Sequence, residues 1–382
     1  MVMKRNHYTP EQEQFRDAFR RFLEREVVPH SPRFREQGMI DRDVYRKAGE
    51  GGFLCYWVEE AYGGLGLADF RYDQLMYEEV TRSHETGLWM GALNRNSPTY
   101  IAKYGTEAQK HHFLPKLVSG EMICAIAMTE PDAGSDIAGF KTHARPRGDG
   151  SWVLNGQKTY ISYGLTADLF VVAAKTDPSN PRQLGLFLVE KGMPGFRPGR
   201  KLEKLGFLSQ DTSELFFEDV ELSPQHVIGD PARGFDYMRG GLAEERITTA
   251  AQSLPNAQEA IRLAVDFTTG RKAFGQRIAD FQNTKFKLAE LRADVDCAQA
   301  FLDHCVDLFN AGELDPATAA ACKLKCTEVQ ARAVDESLQL HGSAGYMQEY
   351  PICRLYADAR ISRIFAGTSE VMKIVIAKDM LG

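Results

Sequence analysis

A chain of 382 residues, 43% hydrophobic and 26% charged, has an ordinary globular composition and is long enough for about two to three domains. Its 46 basic and 52 acidic residues leave a formal charge of −6, which argues against non-specific nucleic-acid binding. No apolar run reaches about 18 residues and the polar start lacks the apolar part of a secretory signal, so we expect no membrane span and a cytoplasmic location.

The seven cysteines are scattered without the spacing of a metal site. Cys322 and Cys326 lie four residues apart on a predicted helix, and no histidine stands at ligand spacing beside them. Free thiols in a reducing compartment account for this pattern. We therefore predict that the protein has no metal site.

The first third of the chain has the pattern of a helical domain. The sequence TPEQ at residues 9–12 is a capping box with proline at the first helical position. Phe15, Phe19 and Phe22 then recur on one helical face. The pattern predicts a helix that begins at residue 10 and packs through its phenylalanines.

The middle of the chain changes to short apolar runs. The runs 168–174, 184–189 and 214–222 are rich in Val, Phe and Leu and are separated by clusters of Gly, Pro, Asp and Asn. This pattern is typical of a small antiparallel β unit. Asn155-Gly156 is in addition a strong turn signal that leads into a strand.

Helical patterns return in the last third. Apolar residues from Leu288 to Phe309 repeat at three-to-four spacing, which predicts a long helix within a bundle. Pro255 lies inside another predicted helix, where we expect either a packing kink or a contribution to a ligand pocket. Strands do not alternate with helices, so a dinucleotide-binding doubly wound fold is excluded.

Four segments have compositions that packing alone does not require. AMTEPDAGSD (127–136) suits a rigid loop that offers donors to a polar ligand. NGQKTYIS (155–162) places a ring and a hydroxyl two residues apart on a predicted strand. GRKAFG (270–275) places an arginine between glycines, and QLHGSAGY (339–346) is followed by IFAGTSE (364–370). Each segment taken alone also fits a hairpin, a surface charge or a helix cap.

Together, and in this order, the four segments resemble the acyl-CoA dehydrogenase family over nearly the whole chain. The likeness is closest to the long-chain branch, with isovaleryl and other branched-chain members near. The resemblance implies an α+β fold with an N-terminal helical domain (1–122), a central antiparallel β-barrel or sandwich (123–234) and a C-terminal four-helix bundle (235–382). It also implies a homotetramer and a role in fatty acid metabolism by β-oxidation.

The resemblance further implies FAD, bound between the central domain and the bundle and partly by a neighbouring subunit. The positions that match cofactor contacts are Met128, Thr129, Ser135, Tyr160, Ile161, Ser162, Arg271, Phe274, Gln282, Gln339, Gly342, Ser343, Thr368 and Glu370. Tyr160 stands where the family usually has tryptophan, and Ser343 where it usually has glycine. Ser135 also matches a contact to the CoA moiety.

The catalytic base departs from the commoner family pattern. Most members place a glutamate just before the Gly-Thr of the last motif, where this chain has Ala366. The long-chain and isovaleryl branches instead carry the base in a Glu-Arg pair on an earlier helix, which Glu245 and Arg246 match. The resemblance therefore implies that Glu245 removes the α-proton of an acyl-CoA while hydride passes from Cβ to flavin N5, giving the trans-2-enoyl-CoA.

The remaining substrate contacts implied by the resemblance are Arg246, Ser135 and the backbone of Ala366 and Gly367. The adjacent Glu244 points about 100° away from Glu245 on a helix and is the weaker candidate for the base. A carboxylate at Glu245 could also be a solvated charge that favours a helix N-terminus.

Three functions stay open at this point. The first is a dehydrogenase that passes electrons to an electron-transfer flavoprotein. The second is an acyl-CoA oxidase or flavin monooxygenase on the same fold. The third is a flavoprotein that binds acyl-CoA without catalysis, which the missing carboxylate at Ala366 would allow. The acyl chain is left open between medium-to-long and methyl-branched.

Overall fold

The chain begins with a helical domain, seen in a computed structural model that describes residues 5, 7–180 and 182–382. The predicted capping box is present: the Thr9 side chain accepts from the Gln12 backbone N–H, and the Gln12 side chain accepts from the Thr9 N–H. Phe19 and Phe22 are buried, as the pattern predicts. The helices of this domain are α1 (Pro10–Phe22), α2 (Ser31–Gln37), α3 (Arg42–Glu50), α4 (Arg71–Arg82), α5 (Ser97–Tyr104) and α6 (Glu107–Val118), with π-helical turns at Leu23–Val27 and Ala92–Asn96.

The central domain is one mixed sheet, built in the described residues from eight strands. The strands are β1 (Cys124–Ala127), β2 (His143–Pro146), β3 (Trp152–Ser162), β4 (Leu169–Lys175), β5 (Leu184–Glu190), β6 (Phe196–Lys201), β7 (Thr212–Leu222) and β8 (Val227–Ile228). Their order is β6-β7-β3-β2-β4-β5-β8, and β1 pairs with β4 in parallel. The three strands predicted from apolar runs are present as β4, β5 and β7.

The predicted helical, β and helical regions are confirmed, but the central sheet is mixed rather than purely antiparallel and does not close into a barrel. The parallel β1–β4 pair joins strands that are separated by β2 and β3, and parallel pairing needs such a long crossover. The first six residues of β4 are all buried, as expected for a strand with neighbours on both faces of its sheet. The run at 169–174 is therefore continuously apolar rather than alternating.

The turn predicted at Asn155-Gly156 is also wrong, because both residues lie inside β3. The register between β3 and β7 shifts at this point, and Gly156 has φ 145°. A Cβ atom on Gly156 would stand 2.6 Å from the Thr142 Cα, so the strands approach too closely for any other residue. Asn-Gly here marks a β-bulge, which uses the same permissive backbone as a turn.

The C-terminal region is a helical bundle around α9. Its elements are α7 (Gly234–Gly270), the short strands β9 (Lys272–Ala273) and β10 (Gln276–Arg277), α8 (Gln282–Asn310), α9 (Pro316–His341), α10 (Pro351–Ala359) and α11 (Ser369–Leu381). Helix α9 packs against α7, α8 and α11, and α8 is the long helix predicted from its apolar repeat. Helix α7 continues through Pro255. Within the described ranges no helix is long and apolar enough to cross a membrane.

A buried ion pair holds the loop after β1 against β3. The Lys158 ammonium, fully buried, donates to Glu130 Oε1 and to the Met128 carbonyl, both at 2.8 Å. Glu130 also accepts from the backbone N–H of Thr142 at 3.0 Å. Burial lowers the pKa of Lys158 to about 8, and Glu130 opposes this effect. The pair therefore fixes the position of residues 128 and 129 at the edge of the sheet.

Replacing Glu130 with Gln should lower the free energy of unfolding by about 3 kcal/mol, because it leaves the Lys158 ammonium buried without a counter-charge. The control is Asp132→Asn, which breaks the exposed pair between Asp132 and Lys141 and should change the free energy of unfolding much less, because solvent screens that pair. Denaturant unfolding of both variants measures the difference. Equal effects would show that the buried pair does not stabilise this loop.

Candidate active site

Glu245 lies well inside α7 and is half-buried, so the interpretation of a solvated charge at a helix start is wrong. The Tyr100 hydroxyl donates to Glu245 Oε1 at 3.3 Å. Burial raises the pKa of the Glu245 carboxyl to about 7, an effect that the Tyr100 hydrogen bond opposes and the Glu244 charge reinforces. A carboxyl with this pKa can exchange a proton near neutral pH.

The neighbouring carboxylate has a different environment. Glu244 is buried and pairs with Lys103 at 2.9 Å and with Arg95 at 3.4 Å. Arg95 is itself buried and pairs with Asp73 at 2.7 Å. Glu244 is therefore committed to ion pairs that join α7 to the N-terminal domain, whereas Glu245 takes part in none of the ion pairs of the described residues.

Arg246 is directed towards α9. Its Nη1 donates to the Pro316 carbonyl at 3.0 Å, while its buried Nε has no hydrogen-bond partner in the structure. Burial lowers the pKa of Arg246, and Arg246 in turn contributes, after burial, to a lowered pKa of about 8 at Lys323. A substrate contact by Arg246 stays a prediction.

Lys323 supports the loop that contains Ala366. Its buried ammonium donates to the Phe365 carbonyl at 2.7 Å and to the Gly367 carbonyl. Ala366 has φ 51° and Gly367 has φ 87°. The left-handed conformation costs a non-glycine residue roughly 1–2 kcal/mol, so the loop needs such support. Lys323 therefore holds the loop that contains the backbone N–H of Ala366.

Trp89 connects three parts of the site. Its backbone N–H donates to the Tyr163 hydroxyl at 3.1 Å, just past the end of β3. Its indole Nε1 donates to Gln252 Oε1 on α7 at 2.8 Å, and its ring centroid lies 5.3 Å from that of Phe365. The end of β3, the face of α7 and the loop before Ala366 therefore meet at one tryptophan.

A cavity lies beside this tryptophan, along the face of α7 that carries Glu245. Its lining from α7 consists of Thr249, Gln252, Ser253 and Asn256. The helical repeat places Gln252 and Asn256 within about 20° of Glu245 around the axis. The other sides carry polar groups that include Asp358 and Ser362, and rings and aliphatic side chains, namely Tyr77, Val80, Leu88, Trp89, Met90, Phe207 and Phe365. Pro255 contributes instead to a separate charged groove, and not to this cavity.

The predicted flavin-ring contacts come together at the end of β3. The β3–β7 register shifts between Lys158 and Ile161, and the Thr159 N–H donates instead to the Thr129 carbonyl at 2.9 Å. Tyr160 lies between Lys158 and Ile161; it has φ 58° and is 68% exposed. An exposed ring beside backbone groups released from the sheet fits a flat, polar-edged flavin. Ile161 is buried, so a cofactor contact there would use its backbone.

The other predicted cofactor residues near this edge are exposed or half-buried. Met128 and Thr129 are held beside β3 by the Lys158 and Thr159 bonds. Ser135 is exposed in the loop after β1. Thr368 caps α11, its hydroxyl accepting from the Val371 N–H at 3.3 Å, and Glu370 is exposed in the first turn of that helix.

A second group of predicted cofactor residues lies at one end of the bundle. It comprises Arg271, Phe274, Gln282, Gln339, Gly342 and Ser343, all exposed. The ends of α7 and α9 are joined here by Phe267 and His341, whose rings stack at 4.5 Å. Phe274 is 96% exposed, a large apolar surface left uncovered by its own chain.

Sequence analysis missed Trp89, Tyr100 and Lys323, which shape the site without belonging to the predicted motifs. Lys323 had a usable signal, because it falls on the apolar face of α9 among Ala319, Ala320, Cys322 and Cys326, all buried. A lysine at a core position usually has a specific partner. Trp89 and Tyr100 had no such signal, since a tryptophan or tyrosine in a helical domain is ordinary core.

Replacing Lys323 with Met should leave the Phe365 and Gly367 carbonyls without a buried donor and loosen the loop around Ala366. We expect faster amide hydrogen exchange at residues 365–368 and a stability loss of about 1–3 kcal/mol. Lys325→Met is the matched control, because Lys325 is exposed on the same helix. Unchanged exchange in the Lys323 variant would show that other contacts hold the loop.

Comparison with known proteins identifies the family. The chain matches, in order, the N-terminal (residues 9–121), middle (125–220) and C-terminal (232–381) domains of acyl-CoA dehydrogenases. It is 39% identical over 380 residues to the mitochondrial long-chain specific acyl-CoA dehydrogenase of Sus scrofa, covering 99% of this chain and 88% of that one. It is 34% identical over 373 residues to the mitochondrial isovaleryl-CoA dehydrogenase of Oryza sativa subsp. japonica, covering 97% and 91%.

The fold agrees with this assignment. The crystal structure of an acyl-CoA dehydrogenase from Geobacillus kaustophilus superimposes with a TM-score of 0.96 at 42% identity, over 99% of this chain and 100% of that one. The match covers all three regions of the chain, including the open mixed sheet. The chain therefore belongs to the acyl-CoA dehydrogenase family, whose enzymes use FAD to dehydrogenate acyl-CoA thioesters.

Proposed function

We propose that this protein converts a fatty or branched acyl-CoA into its trans-2-enoyl-CoA, with Glu245 removing the α-proton. The observation that carries the proposal is the environment of Glu245: a half-buried carboxyl, hydrogen-bonded to Tyr100, with a pKa raised to about 7. At the commoner base position this chain has Ala366, which cannot accept a proton. Bound FAD supplies the acceptor for the hydride that leaves Cβ.

The neighbouring residues support proton transfer at this position. Tyr100 orients the Glu245 carboxylate, and the rings of Trp89, Phe207 and Phe365 line an apolar cavity that excludes water from the reacting carbons. The backbone N–H of Ala366 is proposed to donate to the thioester carbonyl, which increases the acidity of the α-proton. Lys323 acts on this step as a positioning residue, through the Phe365 and Gly367 carbonyls.

The second group of cofactor residues supports assembly with further copies of the chain. Arg271 and Phe274 face solvent at the end of the bundle, and the near-complete exposure of Phe274 is costly for an isolated chain. We propose that they contact the FAD of an adjacent subunit within a homotetramer. We further propose an electron-transfer flavoprotein as the acceptor that reoxidises the flavin.

Replacing Glu245 with Gln should slow anaerobic bleaching of the flavin by acyl-CoA about 10²–10⁴-fold, because Gln keeps the size of the side chain but cannot accept the proton. Stopped-flow absorbance with a panel of acyl-CoAs measures this rate. Glu244→Gln is the matched control: it disturbs the pairs with Arg95 and Lys103 and lowers stability, but should retain rapid bleaching.

Other outcomes would revise the proposal. If Glu245→Gln bleaches as fast as the wild type, Glu245 is not the base. If the wild type is bleached by none of the acyl-CoAs, the catalytic proposal fails altogether. If its reduced flavin reacts rapidly with oxygen, the protein is an oxidase or monooxygenase rather than a dehydrogenase.

The pH dependence of kcat/KM should report the Glu245 carboxyl of the free enzyme. The rate should rise with pH through about 7 and then level off, because only the deprotonated form accepts the proton. Tyr100→Phe removes a hydrogen bond that lowers the pKa, so the midpoint should move to higher pH. Tyr104→Phe, one helical turn away, should leave the midpoint in place. A midpoint that Tyr100→Phe does not change would argue against Glu245 as the titrating group.

A further inference from the structure

The cavity beside Trp89 contains one polar group that its own chain does not satisfy. Asn256 is only 4% exposed, and its Oδ1 is buried without a hydrogen-bond partner. The side chain lines the cavity at its far end from Glu245. A buried amide without a partner is unfavourable for folding, so its presence at a ligand cavity indicates that a ligand satisfies it.

The other side-chain oxygens on the α7 side of the cavity are already paired. Gln252 Oε1 accepts from the Trp89 indole at 2.8 Å. The Thr249 hydroxyl donates to the Glu245 carbonyl at 2.9 Å, and the Ser253 hydroxyl to the Thr249 carbonyl at 2.8 Å. Among the described lining residues, Asn256 alone contributes a buried side-chain atom without a partner.

Polar groups on the opposite wall of the cavity also have hydrogen-bond partners. Asp358 accepts from the Thr86 hydroxyl and from the Phe207 N–H, and the Ser362 hydroxyl donates to Gln330 Oε1 at 2.7 Å. These side chains therefore form their hydrogen bonds within the wall of the cavity. The buried Asn256 Oδ1 therefore differs from these oxygens of the lining in having no partner within its own chain.

The position of Asn256 relates it to the reacting carbons. It lies about three turns beyond Glu245 on the same face of α7, roughly 16 Å along the axis. The cavity lining at 249, 252, 253 and 256 follows this face. An extended chain advances roughly 1.2 Å per bond, so a substrate chain that begins at Glu245 reaches Asn256 after roughly a dozen carbons.

We propose that the substrate is an acyl-CoA whose chain carries a hydroxyl group near its distal end, and that this hydroxyl pairs with Asn256. The inference rests on the proposed function, since it places the α-carbon at Glu245. A hydroxyl both donates and accepts, so it can satisfy the amide in either orientation of its oxygen and nitrogen. The apolar walls between Trp89 and Val80 suit the hydrocarbon part of the same chain.

The test compares matched pairs of trans-2-enoyl-CoA products of increasing chain length, one of each pair with a terminal hydroxyl. Isothermal titration calorimetry on the FAD-loaded enzyme measures their affinities. The hydroxyl should increase affinity roughly ten-fold at the length that reaches Asn256, and not at shorter lengths. Flavin bleaching by the corresponding saturated acyl-CoAs is measured in parallel.

Asn256→Leu should abolish this preference for the hydroxylated chain, because leucine has a similar size and no polar atoms. Ser253→Ala is the matched control: Ser253 lines the same cavity, but its hydroxyl is bound within the helix, so the preference should remain. The thermal midpoint of the substrate-free Asn256→Leu enzyme should be unchanged or higher, whereas a structural role for the amide would lower it.

The outcomes separate this inference from the proposed function. If plain acyl-CoAs bleach the flavin but the hydroxyl adds no affinity at any length, the inference is wrong. A preference for the hydroxylated chain that persists in the Asn256→Leu variant would also contradict the inference. If the hydroxylated products bind preferentially and no acyl-CoA bleaches the flavin, the proposed reaction fails while the binding site stands.

Discussion

The buried ion network around Arg95 determines which way α7 faces. Arg95 pairs with Asp73 within the N-terminal domain and with Glu244 on α7, and Lys103 adds a second cation to Glu244. Because a buried charge without a partner is costly, this network resists rotation of the helix. With Glu244 held by the N-terminal domain, the next residue is directed about 100° away, beside Tyr100. Glu244 is therefore held in ion pairs, whereas the adjacent Glu245 is hydrogen-bonded to Tyr100 and has no cationic partner among the described residues.

Two buried lysines perform a related task at the two loops of the site. Lys158 donates to the Met128 carbonyl beside β3, and Lys323 to the Phe365 and Gly367 carbonyls before α11. Burial lowers the pKa of both ammonium groups to about 8. An ammonium offers three donors from one atom, so a single side chain can hold several backbone carbonyls in irregular loops. The loops that contain the predicted cofactor and substrate contacts are therefore held by side chains from the interior.

The face of α7 combines the base and the binding cavity on one rigid element. Glu245, Gln252 and Asn256 recur at helical spacing, and the helix continues through Pro255 between them. Helix α7 packs against α9, and α4 contributes Tyr77 and Val80 to the cavity along this face. Because Glu245 and Asn256 lie on one helix, the proposed function relates their separation to the length of chain that is bound.

The sequence by itself determined the order of helices and strands and the family, and it predicts Glu245 rather than Ala366 as the base. These depend on local periodicity, capping and residue identity, which are readable along the chain. The central β region was predicted only in part. The sequence predicted β4, β5 and β7, but it predicted a turn at Gly156, where the structure has a bulge, because turns and bulges both need a permissive backbone.

Only the tertiary structure decided the parallel β1–β4 pairing, the environment of Glu245 and the unpaired amide of Asn256. Each of these depends on neighbours from distant parts of the chain, such as Tyr100 beside Glu245. Pro255 is the unusual residue in the sequence of this helix, yet Asn256 next to it lines the cavity. An asparagine in a helix is unremarkable in sequence, and its significance comes from burial without a partner, which exists only once the surrounding elements have packed.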